Sequence, residues 1–150
     1  MAGLNQTATP IPVVDFAPQK SYPSFSSIVN QPTVIAAYTG TATTLTYSDV
    51  LGGFITTNNA SAQTLTLPTA DLLIPQIEGA AVNSSIRFFV KELGAGTATV
   101  AAGTGGTVTG TATIATGNIK EFLLVVTALK NEQGTTSNTY TCYSLGTSTY

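Results

Sequence analysis

From Thr33 onward the chain breaks into short runs of alternating apolar and polar residues, separated by Gly, Asn or Ser. A period of two sends successive side chains to opposite faces of a strand, and a series of such runs with turn residues between them predicts an all-β domain. Strands are predicted at 34–38, 44–47, 54–57, 63–67, 85–91, 97–101, 107–109, 111–115, 119–128 and 139–145. One helix interrupts them at "PTADLLIPQIEG", with Thr69 as N-cap, Asp71 in the first turn where the helix dipole favours a negative charge, and Gly79 closing the C-terminus. Pro75 inside that window makes the helix kink or stop early. A shorter turn is predicted at "SDVLGG", capped by Ser48. The expected fold class is all-β, a jelly-roll-like β-sandwich with one or two short helices.

The alternation also assigns faces. In "SIRFFVKEL", Ile86, Phe88 and Val90 form the expected core face, and Arg87, Phe89 and Lys91 the other. "IKEFLLVVTAL" is apolar on both sides, with Phe122, Leu124 and Val126 on one and Leu123 and Val125 on the other. Such a strand is either central in a sandwich or shared with a neighbouring subunit. GTATVAAG at 96–103 and GTATIATG at 110–117 agree at six of eight positions, and GTAT occurs again at 40–43. In these copies Thr alternates with small apolar residues, which suits the thin or outer part of a sandwich, or close packing about a symmetry axis.

The first 32 residues differ. Five of the seven prolines fall there (Pro10, Pro12, Pro18, Pro23 and Pro32), and no period of 2 or 3.6 is sustained. This predicts an extended arm, 1–32, ahead of a β domain, 33–150. Ile11, Val13, Val14, Phe16, Phe25, Ile28 and Val29 give the arm apolar side chains with which to dock on a partner, or on its own domain.

Composition narrows the function. Charged residues make up 8% of the chain, against roughly 25% in a typical soluble protein. Threonine, with 28 copies, supplies most of the surface polarity while fitting a pleated strand. Lys20, Arg87, Lys91, Lys120 and Lys130 form no run and the net charge is −2, so nucleic acid is not an expected partner. The charge-free stretches 50–70 and 93–119 are broken by Gly, Thr, Asn and Pro, so no membrane span is expected. The start, "MAGLNQTATP", has neither a basic nor an apolar signal region, which predicts synthesis into a cytoplasm.

Candidate chemistry is sparse. The chain has no His, and Cys142 is its single Cys, expected as a small buried apolar side chain. Asp15, Asp49, Asp71, Glu78, Glu92, Glu121 and Glu132 form no spaced pair within one element, although a pair assembled across the fold stays open. Asp49 and Asp71 are expected as helix-start caps; Lys91-Glu92 and Lys120-Glu121 are expected as solvated strand ends or a cross-strand pair. The glycines at 94–96 and 103–106 precede neither a helix nor Lys-Thr, so hairpin turns are expected rather than a phosphate loop. The sequons at Asn5, Asn59 and Asn83 are expected by chance in so Thr- and Ser-rich a chain. No enzyme activity, cofactor or metal is predicted.

The succession "TYSDVLGGFITTN", "TLTLPTADLLIPQIEGAAVNSSIRFFV", "GTATVAAGTGGTVTGTATIATGNIKEFLLVV" and "YSLG", covering about 44–146, resembles small Thr/Ala/Gly-rich structural proteins of tailed phages and large aquatic viruses. These are capsid decoration, cement or fibre-like components. The resemblance implies a virion protein made in the host cytoplasm, with capsid protein as partner and a homotrimer as assembly. It marks no functional residues. Where the group has GTG followed by an apolar residue, this chain has GTGG, so the tip near Gly105 and Gly106 is expected to be shaped differently. Two alternatives stay open. A fibre module binding host glycan could use Tyr38, Tyr47, Tyr140, Tyr143 and Tyr150 for stacking. An ice-binding β protein could use the T-x-T pairs at 41/43, 64/66, 97/99, 107/109 and 111/113, but their irregular spacing argues against a flat array.

Overall fold

The computed structural model describes residues 35–130 and 136–149, all within the unit that runs from Pro32 to Tyr150. The arm 1–32, with its seven proposed docking residues, lies outside the described residues.

The all-β class is what the structure shows. Among the described residues ten strands fall in two sheets: β1 (Ile35–Tyr38), β2 (Ala42–Thr44), β3 (Phe54–Thr57), β4 (Gln63–Thr66), β5 (Ser85–Glu92), β6 (Ala98–Ala101), β7 (Gly106–Thr109), β8 (Thr113–Ile114), β9 (Asn118–Ala128) and β10 (Thr139–Thr149). The six-stranded sheet has the order β1-β3-β5-β9-β10-β7, and the four-stranded sheet β2-β4-β6-β8. Through β8 the chain crosses from one sheet to the other at every strand. β1, β3 and β5 therefore pair in parallel, as do β2, β4 and β6, like three turns of a flattened coil. The pairs β5–β9, β9–β10 and β6–β8 are antiparallel, so both sheets are mixed.

This path corrects the hairpin expectation at both glycine clusters. β5 and β6 belong to different sheets, as do β6 and β7, so residues 94–96 and 103–106 form corners of the coil. A Cβ on Gly94 or Gly96 would overlap the backbone of Asn59 or Ser61 in the corner of the preceding turn. The Gly96 amide donates to the Asn59 carbonyl at 2.9 Å. Glycine is needed because two backbones stack directly on each other there. The last glycine of GTGG has its own reason, since a Cβ on Gly106 would overlap the ring of Tyr140.

The inner faces of the two sheets share one core. Ile55, Phe88, Val90, Phe122, Leu124 and Val126 of the large sheet and Leu65, Ala98, Val100 and Ile114 of the small sheet are all buried, as alternation predicted for Phe88 and Val90, while Ile86 of the same expected face is half-buried. Phe88 and Phe122 stack with ring centroids 5.2 Å apart. The offset stacking of such a pair adds about 0.5–1.5 kcal/mol to area burial.

Two short helices close gaps between the turns. α1 (Tyr47–Gly52) occupies part of the expected strand 44–47 and is capped by Thr46, not Ser48. Thr46 Oγ1 accepts from the Asp49 amide, and the Asp49 carboxylate accepts from the Thr46 amide at 2.7 Å, a reciprocal arrangement that stops β-structure at Leu45. Ser48 hydrogen-bonds only to the Thr46 hydroxyl. α2 (Ala70–Leu73) starts after Thr69 and passes at Ile74 into a 3-10 turn, so the helix does end early at Pro75. The Asp71 carboxylate accepts from the backbone and side-chain nitrogens of Asn138, which ties α2 to the start of β10 instead of capping the helix.

Two of the expected solvated strand ends are interior. Lys120 is buried, and its Nζ donates to the carbonyls of Thr111 at 2.6 Å and Thr113 at 2.8 Å, fastening the β8 segment to β9. Burial holds its pKa below the usual lysine value. Glu92 is wholly buried, with Oε1 accepting from the Gly94 amide at 2.7 Å. The cross-strand pair exists, but between Arg87 and Glu121 at 2.8 Å.

Candidate functional surfaces

The residues set apart as chemically interesting do not converge. Tyr140 is buried, its hydroxyl accepting from the Gly103 amide and donating to the Pro68 carbonyl. Tyr38 donates to the Asp49 carboxylate at 2.6 Å, and burial together with that carboxylate pushes its pKa up to about 12. Tyr47 and Tyr143 are exposed but lie on different elements, α1 and β10, and Tyr150 is outside the described residues. Cys142 is buried as expected, and burial raises its pKa to about 12. Among the described residues no cluster of three or more His, Cys, Asp or Glu could hold a metal ion, and no helix is long and apolar enough to cross a membrane.

Among the described residues four buried polar atoms lack a hydrogen-bond partner: Thr57 Oγ1, Gln63 Oε1 and Nε2, and Glu92 Oε2. Thr57 and Glu92 are direct neighbours across β3 and β5, so part of this polar group sits at the same end of the core.

An open cleft of about 340 Å³, almost wholly apolar, lies between the end of β2, α1 and α2, lined by Thr44, Tyr47, Pro68, Thr69 and Leu72 among others. It borders the first of two broad surfaces. On the outer face of the four-stranded sheet the register aligns Ala42, Thr64, Thr99 and Thr113 in one row, and Thr44, Thr66 and Ala101 in the next. Thr99 and Thr113 share a hydrogen bond between hydroxyls at 3.2 Å. Three T-x-T pairs (64/66, 97/99 and 111/113) therefore meet on or beside this face despite their irregular spacing in sequence. Pair 107/109 lies on the other sheet, and Thr43 of pair 41/43 aligns with buried Leu65 and Val100.

The second surface is the outer face of the six-stranded sheet. The register sets Phe54 beside Phe89, Leu123 between Arg87 and Tyr143, and Val125 between Ser85 and Thr141. Where β10 bulges, Leu145 and Gly146 together oppose Glu121. Phe89, Tyr143 and Leu145 are 37%, 40% and 44% exposed, and Phe54, Leu123 and Val125 are half-buried. β9 is the doubly apolar strand, central in its sheet, yet its second face still looks outward. The sequence had marked Leu123, Val125 and Phe89; Tyr143 and Leu145 join them only through the pairing of β9 with β10.

Searches with family models, among curated proteins and among solved structures found no match to this chain.

Proposed function

We propose that this chain is a structural subunit of a virion surface, a capsid decoration or cement protein. It presents its hydroxyl-rich sheet to the exterior, associates with copies of itself, and reaches the underlying shell through segment 1–32. The architecture is read as a two-layer sandwich wound as a coil. The observation that carries the function is the division of the domain's two outer sheet faces, one filled with Thr and Ala and the other carrying Phe, Leu, Val and Tyr among the charges of Arg87, Lys91 and Glu121. A subunit that must bind a lattice and face water needs these two kinds of surface. Lattice multivalency would add affinity to weak individual contacts. The test is immunogold electron microscopy of purified virus particles with antibodies against the protein. Label on intact capsids is expected, and particles that carry none would overturn the reading.

One observation favours a second reading, ice binding: the in-register Thr rows of the small sheet. Thermal hysteresis of the purified protein, lost on Thr64→Lys, is the outcome that reading requires.

A further inference from the structure

We propose that the outer face of the six-stranded sheet is covered in solution by a second copy of this chain. The inference deepens the function proposed above, because it names the surface through which the subunit associates.

The apolar residues on this face fall in two neighbouring pairs. Phe54 and Phe89 are direct neighbours across β3 and β5, and Leu123 and Tyr143 across β9 and β10. Phe89 opposes Glu121 and Arg87 opposes Leu123, so the Arg87–Glu121 ion pair lies across the diagonal between the two pairs. Single exposed apolar residues are ordinary, but two such pairs side by side on one sheet face mark a contact surface.

Area and charge identify the occupant. From the strand lengths and the usual strand spacing and rise, the face spans roughly 650 Å², near the roughly 800 Å² per partner that a stable interface buries. Arg87 and Glu121, which lie between the two pairs, neutralise each other at 2.8 Å, and Lys91 is a further charge on this face. A copy of the same face meets this pair without net repulsion, whereas a nucleic acid or an anionic membrane would need clustered cations. The Thr/Ala face of the other sheet offers much less apolar area to desolvate, so it stays free.

The experiment is light scattering on a sizing column with the full-length chain, run beside Phe89→Lys, Tyr143→Lys and Leu145→Lys, and beside Thr99→Lys on the opposite sheet. All four positions are exposed or half-exposed, so the variants test the surface more than the fold; circular dichroism identifies any that fails to fold, and the others are then read. The wild type and Thr99→Lys are expected at a multiple of 15.3 kDa, and the three large-sheet variants at the monomer mass. A monomeric wild type overturns the proposal. So does an oligomer that persists in every folded large-sheet variant, or one that only Thr99→Lys dissociates. Immunogold labelling is independent of this mass, so unlabelled particles would remove the virion function without removing the interface, and a monomer on labelled particles would do the reverse.

Discussion

The outer faces of the two sheets follow the same alternation and are filled by opposite chemistries. On the small sheet the outward positions of β4 and β6 are Thr64, Thr66, Thr99 and Ala101; on the large sheet those of β5 and β9 include Phe89, Leu123 and Val125. Threonine is β-branched, so it holds an extended backbone as valine does while its hydroxyl stays hydrated. A Thr face can therefore remain bare at little cost. A face carrying Phe, Leu and Tyr leaves apolar area in water at about 25 cal/mol per Å², which covering it would recover. Strand geometry does not distinguish the faces; what the sheet must meet on its outer side does.

The largest expected effect destroys both faces together. Gly96→Val places side-chain atoms in the Ser61 backbone and separates the turns whose stacking sets the register of both sheets. The expected loss is about 3 kcal/mol or more, with a thermal midpoint lower by at least roughly 10 °C or an insoluble product. Gly117→Ala is the control, because nothing lies within 4 Å of its Cβ. Its cost should be limited to about 1 kcal/mol from forcing a side chain into a positive φ.

Alkaline titration acts on stability with opposite signs at different groups. Cys142 lies on the inner side of β10 in the large sheet, and its pKa rises from 9.0 to about 12 on folding. The folded state holds that proton more tightly, so its contribution is complete below pH 9 and is lost as pH climbs towards 12. Tyr38 adds to the decline between pH 10 and about 12. Lys120, which holds the β8 end of the small sheet, has a lowered pKa and contributes the reverse: stability rises as pH passes through its folded value towards 10.5. Raised groups outnumber the lowered one, so denaturant melts should show net destabilisation above pH 9. Cys142→Val should delay its onset to about pH 10. An unchanged onset would refute the assignment to the thiol.

The sequence showed much of this directly, because alternation is local. Most strand positions, though not 44–47, were legible, as were Phe88 and Val90 on the core face and the early end of the helix at Pro75. The sequence did not show which strands pair, because Thr64 meets Thr99 only after α2 and a long connection have been set aside. Irregular T-x-T spacing therefore counted against an array that the coil restores by putting its insertions at the corners. Lys91-Glu92 and Lys120-Glu121 looked equivalent as neighbouring opposite charges, yet alternation turns Glu92 and Lys120 inward and Glu121 out beside Arg87. The partners that hold them inside are near in sequence, the Gly94 amide for Glu92 and the Thr111 and Thr113 carbonyls for Lys120, but the order of charges alone does not show them. Thr46 displaced Ser48 as the cap because the reciprocal bond requires an acidic residue three positions on, and Asp49 stands there.

A smaller effect separates a hidden threonine from the displayed ones. Thr57 Oγ1 is buried without a hydrogen-bond partner, so Thr57→Val keeps the shape and removes an unsatisfied polar group. Chemical denaturation should show a gain of about 1 kcal/mol. Unchanged or reduced stability would mean that the hydroxyl is satisfied in solution, by water bridging it to Gln63 or Glu92.

The smallest expected effect is at the displayed face itself. Thr99→Val removes the 3.2 Å hydroxyl contact with Thr113 but retains the β-branch and most of the volume. Both hydroxyls can bond to water when the pair is broken, and Val is at least as good a strand former, so stability should stay within about 0.5 kcal/mol of the wild type. The oligomer mass should also stay unchanged, since the substitution lies on the sheet opposite the apolar pairs. A loss above about 1 kcal/mol would make the hydroxyl row a structural ladder that holds β8 to β6. In that case threonine would be there to support the sheet, and the contrast between the two faces would no longer separate a surface kept for water from one kept for a partner.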